Sequence, residues 1–166
     1  MRKRIVEQSI EANPHSEEEA LDTESLAEVE LTSEDAGHVF ESALRMGGGG
    51  WRASRPGAQR IALRFDAPQH IGRLHLVFQE TELERTQEFA LRWSADTKSP
   101  MREILRQQYT FSPPTTTSEI EDYSFNLKDL VALELEIIPD IDGGSAYASI
   151  AELSLFKTGL STEAGR

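Results

Sequence analysis

"RIALRFDAPQHIGRLHLVF", residues 60–78, holds two short runs in which large apolar side chains recur at every second position. Ile61, Leu63 and Phe65 alternate with Arg60, Ala62 and Arg64; Leu74, Leu76 and Phe78 repeat the pattern further on. A period of two sends alternate side chains to opposite faces of a strand, so each run reads as a strand with one dry face. Asp66-Ala67-Pro68 between them is a turn signal, because Asp bonds its own backbone and Pro fixes φ.

The same period extends outward in both directions. Ala27, Val29 and Leu31 alternate with Glu28 and Glu30; Phe89, Leu91 and Trp93 follow; Leu133, Leu135 and Ile137 flank Glu134 and Glu136; Ala151, Leu153 and Leu155 flank Glu152 and Ser154. Shorter patterns cover Val39 to Leu44, Glu103 to Gln107 and Tyr123 to Leu127. Arg-Pro-Gly at 55–57, Ser-Ala-Asp at 94–96, Ser-Pro-Pro at 112–114 and Pro-Asp-Ile-Asp-Gly-Gly at 139–144 separate them. No long stripe of period 3.6 follows residue 50, so crossover helices are missing and the strands must pair antiparallel, as a sandwich or barrel.

The 166 residues carry a net charge of −12 and no cysteine. Disulfides, thiolate metal sites and a cysteine nucleophile are therefore excluded, and the chain length suits one core. Residues 1–35 hold 3 basic and 11 acidic side chains, so the acidity is concentrated there. An acidic surface argues against nucleic acid as a partner. The amino terminus lacks a secretory apolar core, and nowhere do about 18 apolar residues run together, so no membrane is expected and a cytoplasmic location is. Residues 1–24 read as a disordered acidic segment, since ordering them would bury little against roughly 1–2 kcal/mol of backbone entropy per residue. Ser16 and Glu19 stand at the spacing of a helix capping box, and residues 158–166 read as a flexible tail.

Several of these pieces, in this order, resemble one family. They are AEVELTSED at 27–35, FESAL at 40–44, Gly50-Trp51-Arg52, the paired strands of 61–78, FALRWSAD at 89–96 and AELSLF at 151–156. Together they resemble the galactose-binding-domain-like jelly roll, the group of the coagulation-factor type C (discoidin) domains and several carbohydrate-binding modules. The resemblance spans about residues 27–157. It implies an all-β fold, an antiparallel β-sandwich of about eight strands, with residues 25–157 as the folded unit. It also implies a non-catalytic ligand-binding module that takes carbohydrate through loops at one end of the sandwich. The alternative is an intracellular protein–protein interaction domain, as in jelly rolls that recruit partners. The family's structural calcium would map to Asp35 and Glu152; no other cofactor is expected, and calcium needs six or more oxygen ligands.

Nothing in the residues calls for catalysis. His15, His38, His70 and His75 lack metal-ligand spacing, and there is no Gly-x-Ser-x-Gly elbow. The run Met46-Gly-Gly-Gly-Gly-Trp51-Arg52 lacks the Gly-Lys-Ser/Thr and following helix of a phosphate loop, and reads as a connection whose glycines visit positive φ. Residues 51–73 are the one local charge anomaly, with five arginines against Asp66. Arg52 and Arg55 are thus candidate ligand-binding residues on a rim, joined by a neighbouring loop of Gln107, Gln108 and Tyr109, whose amides and phenol can satisfy hydroxyls without fixed charge. Trp51 and Trp93 fall at positions that face the core, with stacking on a ligand as the other reading.

Overall fold

The computed structural model describes residues 19–158. In chain order these form β1 (Glu19–Ala20), α1 (Thr23–Leu26), β2 (Ala27–Leu31), a 3-10 turn (Phe40–Leu44), β3 (Trp51–Arg52), β4 (Gln59–Gln79), β5 (Arg85–Ser94), β6 (Arg102–Phe111), β7 (Ser118–Ile138), β8 (Ser149–Ile150) and β9 (Glu152–Lys157). Every pairing is antiparallel, so the all-β sandwich expected from the period-2 pattern is what forms.

β4 and β7 pair along most of their length, and their register shifts between Arg64 and Arg73. Bulges of this kind bend a ladder. The bent pair serves both layers. Residues 59–64 of β4 and 132–137 of β7 lie with β2, β5 and β6, whereas residues 71–79 and 118–127 lie with β9 and β1. Ile61 and Leu63 from the first arm, and Leu74 and Leu76 from the second, line one interior with Leu91, Leu133, Leu135 and Leu153. Phe78 of one layer meets Phe89 of the other, ring centroids 5.3 Å apart. The alternation read in 60–78 is therefore the two facing walls of the core.

Four expectations are corrected here. Asp66-Ala67-Pro68 is a bulged bend inside one 21-residue strand, because β7 follows β4 through the corner. Val39 to Leu44 is a 3-10 turn that buries Phe40 and Ala43, so its apolar spacing serves one packed corner and no ladder. Residues 19–24 are ordered: β1 pairs with β9, the Leu21 amide donates to the Leu155 carbonyl at 2.8 Å, and Leu21 and Thr23 are buried. Leu21, the large apolar residue of that acidic run, finds a place in the core, which brings the start of the folded unit forward from residue 25. Gln107 to Tyr109 lie within β6, in register with Phe89, Glu88 and Gln87, because no breaker interrupts the strand before Ser112-Pro113-Pro114. The calls on residues 1–18 and 159–166, the capping-box serine included, fall outside the described residues.

Trp51 is 1% exposed, as its face predicts. Trp93 is only half-buried, since it sits at the end of β5 and the Arg102 guanidinium covers it, 5.1 Å from the ring centroid. Among the described residues no helix is long and apolar enough to cross a membrane.

Candidate functional site

β3 and β8 form a two-stranded ribbon apart from the main sheet, with Trp51 opposite Ile150 and Arg52 opposite Ser149. Alternation sends Trp51 into the core, where its indole N–H donates to the Ser33 carbonyl at 3.2 Å, and turns Arg52 outward. Gly50 makes the close approach that allows this: its φ is +81°, and a Cβ there would lie 2.5 Å from the Ile150 carbonyl oxygen. The segment 35–38 closes beside the ribbon, its Asp35 amide donating to the Arg52 carbonyl at 2.8 Å and the Arg52 amide donating to the His38 carbonyl at 3.2 Å.

The ribbon is one wall of an open cleft of about 460 Å³. Its other wall is the loop from Gln79 to Leu83, and Ser145 and Tyr147 close it. The size suits a small ligand. Arg52 spans the floor: its guanidinium lies 4.7 Å from the Tyr147 ring centroid and has no ion-pair partner among the described residues.

Glu80 at the cleft and Asp35 beside the ribbon are already engaged, whereas Glu82, which also lines the cleft, is exposed. Glu80 accepts from Arg85 Nε at 2.6 Å and from the amides of Glu82 and Leu83 at 2.9 and 3.0 Å. Burial pushes its carboxyl up, but those amides and the guanidinium outweigh it and hold the group below its ordinary value. Arg85, itself buried, also donates to the Pro139 carbonyl at 2.7 Å and to the Gln87 side chain at 3.0 Å, so the loop wall is pinned from beneath. Asp35 accepts from the Gly37 amide at 3.2 Å and stands 2.8 Å from His38 Nδ1. The His38 hydrogen bond outweighs the loss of water and, with the Gly37 amide, keeps the Asp35 carboxyl below its ordinary value. In the neutral tautomer that gives Nδ1–H to Asp35, His38 Nε2 can accept from a hydroxyl.

The residues expected to share a rim do not come together. Arg52 lines the cleft, but Arg55 donates instead to the Thr32 carbonyl at 3.0 Å. Gln108 bonds Glu88 at 2.8 Å and Tyr109 packs edge-on against Phe111, and no hydrogen bond, ion pair or ring contact joins either of them, or Gln107, to Arg52 or Arg55. The charge anomaly of 51–73 divides in the same way. Arg64 and Arg73 pair with Glu30 and Asp122 across the strands, while Arg60 is exposed and unpaired among the described residues.

Glu152 lies on β9 opposite Val77. Among the described residues no three His, Asp or Glu side chains surround a point that could hold a metal. Asp35 is held by its own turn and by His38.

Tyr147, Glu80 and Leu83 were missed. Tyr147 follows the Gly143-Gly144 turn, and Glu82 and Glu84 stand out in the sequence only as loop charge, so the one signal for this wall was its turn chemistry.

No protein-family model matches the chain, and no curated protein matches it. Solved structures do match. The chain is similar to the family 32 carbohydrate-binding module of Clostridium perfringens NanJ in complex with galactose, at TM-score 0.60 and 14% identity over 84% of this chain and 99% of that one. It is similar to another family 32 module from C. perfringens, in complex with GalNAc-β-1,3-galactose, at TM-score 0.59 and 17% identity over 82% and 99% of the two chains. The family 32 module of AlyQ, in complex with 4,5-unsaturated mannuronic acid, gives TM-score 0.58 and 16% identity over 83% and 98%. The fold is the galactose-binding-like jelly roll.

Proposed function

We propose that this jelly roll is a carbohydrate-binding module whose site is the cleft between the β3–β8 ribbon and the Gln79–Leu83 loop. The observation that carries the reading is the convergence there of an unpaired arginine, an aromatic ring beneath it and a histidine with one free ring nitrogen. Sugars present hydroxyls that need fixed donors and acceptors, and apolar C–H faces that need an aromatic or aliphatic surface. Arg52 supplies the donors, His38 Nε2 an acceptor, and Tyr147 with Leu83 the apolar surface. The solved neighbours are bound to sugars, which supports the ligand class.

Binding without chemistry is the role the cleft supports. Catalytic carboxyl pairs need one group poised as acid and the other as base, but Glu80 and Asp35 are both held ionised by partners of their own. A glycan array of the whole chain and of Tyr147→Ala tests the proposal. Selective retention of saccharides that is lost in Tyr147→Ala at an unchanged melting temperature is the expected result; retention of none, or equal retention by both proteins, contradicts it.

A further inference from the structure

Resting on the cleft being a sugar site, we infer that its ligand carries a carboxylate, so that the module selects uronic acids over the neutral sugars they derive from. The inference starts from arginine pairing. In a chain with 29 acidic and 17 basic side chains, an arginine within reach of a carboxylate is the ordinary outcome. Arg45, Arg64, Arg73, Arg85, Arg92 and Arg106 each have such a partner. Arg52, Arg55, Arg60 and Arg102 have none among the described residues, and of these four only Arg52 lines the cleft, with Glu80 and Glu82.

Asp35 and Glu80 have partners of their own: His38 and Gly37 hold Asp35, which feels the Arg52 charge without pairing with it, and Arg85 with two loop amides holds Glu80. Arg52 therefore keeps a full charge facing the opening. Its guanidinium carbon lies over the Tyr147 ring, 4.7 Å from the centroid. A guanidinium seated over a ring presents its flat face to the π-system and leaves its N–H edge free in the plane. That edge matches a carboxylate through two parallel hydrogen bonds, and the stack with Tyr147 spares part of the rotamer entropy that an unsupported arginine would lose on binding. A neutral sugar meets the same edge through hydroxyl oxygens that carry no charge to pair with it, so its hydrogen bonds there are weaker.

The test uses matched sugars that differ only at C6: galactose and galacturonate, glucose and glucuronate, mannose and mannuronate, titrated by NMR into the whole chain. At least one acid is expected to bind about tenfold or more tightly than its neutral partner, the ratio shrinking with added salt. Arg52→Gln should weaken that acid by about tenfold to a hundredfold and remove the discrimination. Arg52→Lys keeps the charge without the fork and should retain part of it, and it also serves if Arg52→Gln fails to fold. Arg60→Gln, removing an unpaired charge outside the cleft, should change nothing. Equal affinity within every pair, with shifts in the cleft, overturns this inference and leaves the sugar site standing. A preference for the acid that survives Arg52→Gln also overturns it. If no sugar of either kind shifts the cleft, the proposed function fails too.

Discussion

Arg85 links the core to the cleft more directly than any other side chain. It is buried, it lies over Phe111 at 4.8 Å from the ring centroid, and its hydrogen bonds to Glu80 and to the Pro139 carbonyl tie both to β5, where Gln87 also holds it. Removing one member of a buried pair leaves the other charge uncompensated, so Arg85→Ala should cost about 3–5 kcal/mol in denaturant unfolding. Trp51→Ala should cost a similar amount, about 3–5 kcal/mol, because its ring is fully enclosed. Trp93→Ala should cost clearly less than Trp51→Ala, since Trp93 is half-buried. The sequence placed both tryptophans on inward faces by alternation, and only the length of the opposing layer separates them. Glu119 adds a pH dependence. Burial and the neighbouring Glu121, whose carboxylate takes the Tyr123 hydroxyl, push its carboxyl up to about 7. A raised folded-state value means its contribution is complete below about 4.5, the ordinary glutamate value, and is lost as pH rises toward 7. Glu119→Gln should therefore match the wild type near pH 4 and be more stable near pH 8 in paired melting curves.

At the scale of elements, the glycine run before Trp51 leads the chain into the ribbon. Gly49 and Gly50 both have positive φ, but only Gly50 approaches another backbone. Gly49→Ala should cost about 1–2 kcal/mol, the strain of a left-handed alanine. Gly50→Ala should cost more and weaken sugar binding, because the Ile150 carbonyl must move and the ribbon with it. Thermal melts of the two variants, compared with their sugar affinities, check the distinction. Strands were legible wherever apolar residues alternate over a long ladder, as in β2, β4, β5, β7 and β9. Period 2 reports burial, however, and says nothing of which strand continues into which. The Asp66-Ala67-Pro68 corner reads as a break in sequence, yet β7 carries the pairing past it. The candidate site was half legible for the same reason. Arg52 stood out by charge, but Tyr147 and the Glu80 loop reach it only through the ribbon and the fold of β4, contacts across about 30 to 100 residues that no local pattern encodes.

For the molecule as a whole, the first described strand is β1, which adds an edge strand to β9, and Leu21 after it enters the core. A chain starting at Thr23 should be less stable than one starting at Glu19 by about 1.5–3 kcal/mol, the worth of a buried leucine. The jelly roll keeps the ribbon, the 35–38 turn and the Glu80 loop at one place, with a pinned base below and solvent above. That arrangement is the central claim, and amide chemical-shift mapping with the best-bound saccharide tests it most directly. Shifts are expected to concentrate on His38, Gly49, Arg52, the residues from Glu80 to Leu83 and those from Ser145 to Ala151, all titrating together. Shifts centred on Gln107 to Tyr109 or on the outer faces of the sheet, with the cleft silent, would contradict it.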